Sequence, residues 1–233
     1  MTSSSALTPQ ERARRIQLLI FDVDGVLTDG GIWLFPAPAP GSGPSGEPAR
    51  WWNHESGEPA AQMESKGGYG ISSQSMVEAK GFNAHDGTGI ALAKLAGIKC
   101  AIITRRVSET VALRARDLRM EYVYMGQAYK MQAVRAMMAK ENITLDEIAY
   151  VGDDVIDLPV MRVCGLAVAV ANARAQVKAA AHYVTPHEGG HGAGRDAIEF
   201  ILDAKGVLEE TIERFLDERN PLPAGMDIGK GGW

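Results

Sequence analysis

The chain of 233 residues carries 24 Lys and Arg against 29 Asp and Glu, a formal net charge of −5, and is 45% hydrophobic. That is apolar material for one sizeable α/β domain, and the acidic balance argues against nucleic acid or an anionic membrane as partner, leaving a small molecule as the expected substrate. Residues 1–7 lack the basic start and apolar stretch of a leader, no run approaches the roughly 18 apolar residues of a membrane span, and Cys100 and Cys164 lie in apolar stretches without metal-type spacing, so a reducing cytoplasm is the expected setting.

Thr8-Pro9-Gln10-Glu11 has the form of a capping box with proline at the first helical position and predicts a short helix to about residue 15. Residues 16–21 then make an apolar run of strand length that ends abruptly in Asp22-Val23-Asp24-Gly25. Side chains i and i+2 of an extended chain share a face, so Asp22 and Asp24 look into one cavity at the carboxyl end of a buried strand, where ligands of open α/β sheets collect. Taken alone, this sequence is also an ordinary Asp/Gly turn. Two carboxylates held so close repel unless one is protonated or a cation lies between them, and Mg²⁺ suits oxygen ligands.

Residues 31–35 and 75–82 have strand character and can pair as a hairpin cap over 31–82. It carries a long insertion, 36–74, whose prolines and glycines suit an outward excursion. Trp51, Trp52, His54 and Tyr69 within it are isolated aromatics suited to packing on the domain or on a neighbouring subunit. Regular alternation follows: helix 86–96 with Gly97 as C-cap, strand 98–103, helix 107–118, strand 122–124, helix 130–140, strand 148–151, helix 158–163 and strand 166–170. An amphipathic helix 209–218 precedes a Pro- and Gly-rich tail, 220–233, ending in Trp233. This pattern predicts an α/β fold with a doubly wound, mainly parallel sheet, a single domain over 1–233.

Polar groups recur at the strand ends in order: Asp22 and Asp24, then Thr104 after 101–103, then Lys130 opening a helix after Tyr124-Met125-Gly126, then Gly152-Asp153-Asp154-Val155-Ile156-Asp157 after 149–151. Each has an ordinary reading as a helix cap, a surface lysine or a turn. Together, along one sheet edge, they point to one site.

With these four motifs the chain resembles the haloacid dehalogenase-like phosphohydrolases. It is similar in particular to their small-cap branch of 3-deoxy-D-manno-octulosonate 8-phosphate phosphatases, through Asp22-Val23-Asp24-Gly25-Val26-Leu27-Thr28-Asp29-Gly30, Phe82-Asn83-Ala84-His85-Asp86-Gly87, Ile102-Ile103-Thr104-Arg105-Arg106, Gly152-Asp153-Asp154 and Gly189-Gly190-His191-Gly192-Ala193-Gly194-Arg195. The resemblance implies that Asp22 attacks phosphorus to form an aspartyl-phosphate, while Asp24 protonates the leaving alkoxide and then activates water. It implies that Thr104 and Lys130 hold phosphoryl oxygens, that Mg²⁺ sits on Asp22, the backbone carbonyl of Asp24 and Asp153, and that Asp154 and Asp157 orient the ligands and Lys130.

For the sugar acid it points to Asn83, Ala84, His85, Asp86, Gly87, Arg106 and Arg114, with Lys130. Arginine forks suit a 2-keto carboxylate. Three positions depart from the branch: His85 stands for an arginine, Arg105 for a glycine and Ala91 for an arginine. A nonulosonate 9-phosphate or another small phosphate ester is therefore the alternative substrate, and an inactive oligomeric interaction module is the rival from another class. The branch also implies a homotetramer in which neighbouring hairpins cap each site.

Overall fold

The computed structural model describes residues 7–36, the backbone of 69–70, and 76–219. The expectations for Trp51, Trp52, His54, most of the insertion 36–74 and the tail 220–233 lie outside these residues.

Thr8 caps α1 (Pro9–Ala13) through the reciprocal bonds of its capping box with Glu11. The next element is β1 (Leu18–Phe21), buried at all four positions because strands lie on both sides of it and helices cover the sheet. The sheet has the order β10-β9-β8-β1-β5-β7, built from β5 (Lys99–Ile103), β7 (Tyr122–Tyr124), β8 (Ile148–Gly152), β9 (Leu166–Ala169) and β10 (Tyr183–Val184). Every pairing in it is parallel. The chain winds outward from β1 in both directions, so β1 is where the strand order reverses and where a crevice opens at the carboxyl ends.

Seven of the described helices fall into two packing groups. One comprises α1, α2 (Ala84–Leu95), α7 (Ala193–Lys205) and α8 (Leu208–Leu216); the other comprises α4 (Lys130–Glu141), α5 (Leu158–Met161) and α6 (Ala175–Ala180). The core between them includes Leu18, Leu19, Ile20, Phe21, Ile102, Ile103, Tyr150 and Val151, each 1% exposed or less. At about 1.5–3 kcal/mol for each large apolar side chain removed from water, this layer holds the sheet edge rigid under the site.

The hairpin is present: β2 (Trp33–Pro36) pairs antiparallel with β4 (Met76–Ala79), Trp33 opposite Ala79 and Pro36 opposite Met76. An isolated bridge between Thr28 and Phe82 ties its base to the loop after β1.

Three expectations are corrected. Helix α2 starts two residues early because the Asn83 side chain accepts the His85 amide at 2.8 Å. Helix α3 (Glu109–Asp117) starts two residues late, capped by Ser108, which frees β6 (Arg106–Val107) to pair in parallel with β3 (Tyr69–Gly70). The described end of the insertion therefore lies beside the strand-end loop after β5 and does not loop outward there. Finally, patterning assigns no element between residues 170 and 209, yet the chain forms α6, β10 and α7. The start of α7 follows Gly189-Gly190-His191-Gly192, which reads as loop. Its cap comes from far away in sequence, as Asp86 accepts the Arg195 amide at 2.8 Å.

Candidate active site

The floor of the crevice is made by the residues just past β1 and β8 and by the start of α4. The amide of Asp22 continues the sheet by donating to the Val151 carbonyl at 3.0 Å, which sets Asp22 level with Gly152 on the adjacent strand. Its Oδ1 accepts the Val23 amide at 2.7 Å and meets Lys130 Nζ at 2.8 Å. Lys130 Nζ also donates to Asp157 Oδ1 at 2.7 Å, and its side chain is 1% exposed. Tyr150, wholly buried in β8, donates its hydroxyl to the same Asp157 Oδ1 at 2.7 Å. The other oxygen of Asp157 accepts the amides of Asp153 and Asp154 at 3.0 and 3.3 Å. Asp157 is thus committed on both oxygens to holding Lys130 and the loop after β8.

Glycines let these loops touch. Gly25 adopts φ +88°, and a Cβ there would stand 2.3 Å from Asp153 Oδ2; one on Gly152 would stand 2.7 Å from the Asp157 carboxyl group. Any larger residue at either position would drive the carboxylates apart.

Asp22, Asp153 and Asp157 can place one oxygen each within 4.8 Å of one another. Three carboxylates face one lysine, leaving two negative charges uncompensated in a buried place. Burial first, and then Asp157, push the Asp22 carboxyl up to about 7 against the pull of Lys130; burial and the charges of Asp22, Asp157 and Asp154 push Asp153 up to about 7. Burial lowers the pKa of the Lys130 ammonium, but the charges of Asp22 and Asp157 outweigh it and leave the group raised. Asp153 Oδ1 is buried without a hydrogen-bond partner among the described residues. Among the described residues, a pocket with only oxygen donors, three carboxylates against one ammonium and an orphaned carboxylate oxygen fits a hard divalent cation, with Asp22 and Asp153 the side chains open to it.

Thr104 ends β5 on the other side of β1 and is 1% exposed; its Oγ1 accepts the Arg106 amide at 3.2 Å. Asp24 lies at the rim, partly exposed. Its Oδ1 pairs with Lys80 Nζ, and its Oδ2 lies 3.8 Å from Arg106 Nε. Glu78 of β4 completes the group: Oε1 is 3.9 Å from Lys80 Nζ and accepts the Ser108 hydroxyl, while Oε2 is 3.8 Å from an Arg106 terminal nitrogen.

The structure thus brings Asp22, Lys130, Asp153 and Asp157 into one floor, and Asp24 and Arg106 into one rim. Asp154, expected beside Lys130, is exposed, and its carboxylate caps the turn before α5 by accepting the Val155 amide at 2.7 Å. Ala84 and His85 are exposed at the start of α2, whereas the Asn83 amide donates to the Gly190 carbonyl at 3.3 Å. Asp86 and Gly87 are buried: Asp86 caps α7, and a Cβ on Gly87 would meet the Arg114 guanidinium at 2.9 Å. Arg114 pairs with Asp117 at 2.7 Å and lies over the Phe82 ring. Sequence reasoning missed Tyr150, Lys80 and Glu78. A tyrosine inside an apolar strand carries a hydroxyl that must find a partner when buried, which was a usable signal for Tyr150. Lys80 meets Asp24 across more than 50 residues of chain, and Glu78 joins them only through Lys80 and Arg106, which no local pattern reveals.

This sheet and floor define a haloacid dehalogenase-like hydrolase acting on phosphoric monoesters, and a family model described as haloacid dehalogenase-like hydrolase matches residues 100–195. Within that class, the chain belongs to the family of 3-deoxy-D-manno-octulosonate 8-phosphate phosphatases. It is 37% identical over 199 residues to 3-deoxy-D-manno-octulosonate 8-phosphate phosphatase KdsC of Escherichia coli (strain K12), covering 85% of this chain and 86% of the relative. The crystal structure of that phosphatase from Yersinia pestis is similar at 35% identity and a TM-score of 0.67, covering 86% of this chain and 88% of the other. The enzyme from Moraxella catarrhalis, in complex with a magnesium ion, a phosphate ion and a KDO molecule, is similar at 31% identity and a TM-score of 0.69, covering 89% and 97%.

Proposed function

We propose that the chain hydrolyses 3-deoxy-D-manno-octulosonate 8-phosphate to the sugar acid and phosphate. The observation that carries this reading is the floor itself, three carboxylates sharing one buried lysine with Asp153 Oδ1 unpartnered, in a chain 37% identical to KdsC. Asp22, fixed by the Val23 amide and Lys130, presents its carboxylate as nucleophile to phosphorus and becomes the aspartyl-phosphate. Lys130, held by Asp157, keeps its ammonium where phosphoryl oxygens gather charge, and Thr104 bounds the same space from β5. Asp24 at the rim gives a proton to the leaving alkoxide and takes one from the water that opens the intermediate. Arg106 and Arg114, with the start of α2 at Asn83, Ala84 and His85, face the sugar acid. Magnesium, held by Asp22, Asp153 and the Asp24 carbonyl, supplies charge neutralisation for the phosphoryl group.

The exposed apolar hairpin supports a homotetramer. Ile32, Trp33, Leu34, Phe35, Met76 and Val77 all stand in solvent on a two-stranded element that is marginal by itself. Residues 31–82 then act as the cap of one catalytic domain. Among the described residues no helix is long and apolar enough to cross a membrane, and Cys100 and Cys164 are free buried thiols, which suits a reducing cytoplasm.

The test is phosphate release from a panel containing 3-deoxy-D-manno-octulosonate 8-phosphate, a nonulosonate 9-phosphate and simple sugar phosphates. The eight-carbon acid should have the highest kcat/KM. Activity should vanish with a chelator and return with Mg²⁺ and not with Zn²⁺, since among the described residues the pocket offers no Cys or His. Preference for the nine-carbon substrate would move the assignment, and activity surviving exhaustive chelation would reject the metal.

A further inference from the structure

We propose that Lys80, delivered by the second strand of the hairpin, is the positioning residue of Asp24. This rests on the reading of Asp24 as the group that protonates the leaving alcohol. Four features carry it. The Lys80 side chain is fully buried, and its ammonium is paired with Asp24 Oδ1. A buried ammonium stays where its anion is, because separating the two strands a charge away from water. Lys80 follows β4 directly, so its backbone is set by the pairing of β4 with β2. The charges around it close a ring, Asp24 to Lys80 to Glu78 to Arg106 and back to Asp24, with Ser108 and Thr110 fastening Glu78 from α3 through its side chain and its carbonyl.

Asp24 has no comparable anchor in its own loop. Asp22 is fixed by a backbone amide and by Lys130, both belonging to the floor, whereas among the described residues the side-chain contacts of Asp24 come from Lys80 and, more distantly, Arg106. A carboxylate that must swing neither toward the negative floor nor out to solvent is held by the cation on the cap. The cap thereby takes part in proton transfer and is more than a cover over the substrate.

The experiment compares kcat/KM, which reads the steps through departure of the alcohol, for p-nitrophenyl phosphate and for glycerol 2-phosphate. The first leaves as a phenolate that needs no proton; the second leaves as an alkoxide that does. Neither carries a sugar-acid carboxylate, so recognition of the sugar stays out of the comparison. Lys80→Met should lower kcat/KM for the alkyl ester by about 100-fold, the lower end of general acid contributions, and for the aryl ester by less than about fivefold. Lys80→Arg, which keeps a cation, should recover all but about tenfold of the alkyl rate. In an Asp24→Asn background, Lys80→Met should cost less than about threefold more, because the two act as a unit. Equal losses on both esters, or losses that multiply in the double variant, would overturn the role of Lys80 while leaving Asp24 as the acid. An Asp24→Asn enzyme with undiminished alkyl hydrolysis would overturn the reading of Asp24 itself, and this inference with it. Thermal melts of each variant, matched to the unsubstituted protein, separate these outcomes from misfolding, and Lys80→Arg supplies the answer if Lys80→Met does not fold.

Discussion

The floor of the crevice and its rim are built by different means. On the floor, Asp22, Lys130, Tyr150 and Asp157 sit on or next to core strands and the first residue of α4, are nearly or wholly buried, and leave Asp157 no spare oxygen. At the rim, Asp24, Lys80, Glu78, Arg106 and Ser108 come from the β1 loop, the hairpin and the start of α3 and meet through their side chains, beside a hairpin whose Trp33 is 62% exposed. The floor is preorganised by the core sheet and the start of α4, as electrostatic catalysis demands. The rim is assembled from separate segments and presents apolar surface that a neighbour can cover. The proposed nucleophile thus lies on the floor, and the proposed acid and base carboxylate lies at the rim, held by segments far apart in sequence.

The largest effect should come from breaking the floor. Lys130→Met leaves Asp22 and Asp157 as uncompensated buried charges, with an expected loss of about 3–5 kcal/mol in a urea titration and of at least about 10³-fold in kcat. A fully active, equally stable variant would show that the lysine is incidental. At the rim, Phe35→Asp places a charge in the exposed apolar stripe. Light scattering should register a fall from about four times the 25.0 kDa chain mass toward the single chain, together with a loss of kcat/KM on the sugar acid. A fully active unsubstituted protein of 25.0 kDa would remove the shared cap.

The smallest effect concerns Asp86, which anchors the rim end of α2 to α7. Burial raises its carboxyl to about 6, above the ordinary 3.8. A group whose pKa rises on folding stabilises the protein below its unfolded pKa, and that contribution is lost as pH climbs through the folded value. Relative to Asp86→Asn, the unsubstituted chain should therefore lose on the order of 2–3 kcal/mol between pH 4 and pH 7. Paired thermal melts across that range should show the difference; a pH-independent gap would mean that Asp86 is ionised throughout.

The same division governs what the sequence could reveal. Two carboxylates of the floor were legible because they follow apolar runs at strand ends, Asp22 after 16–21 and Asp153 after 149–151, as does Thr104 after 101–103; Tyr150, inside its strand, was not. The parallel sheet was legible from the alternation of those runs with helices. The rim was not. Lys80 meets Asp24, and Glu78 meets Arg106, only after β4 folds over the β1 loop, and the helix over Ala193–Lys205 was hidden because its cap is supplied by Asp86, more than 100 residues earlier. The family resemblance points Asp154 as well as Asp157 toward the ligands and Lys130. The turn after β8 spends its carboxylate on the Val155 amide and gives the lysine to Asp157, four residues after Asp153.

The central assignment to test is Asp22 as the nucleophile. Enzyme mixed with substrate and Mg²⁺, quenched in acid and reduced with borohydride, should yield homoserine at position 22 by peptide mass mapping, and Asp22→Asn should yield none while losing several orders of magnitude in turnover. Homoserine at any other aspartate, or an Asp22→Asn enzyme that still turns over at a near-normal rate, would contradict it.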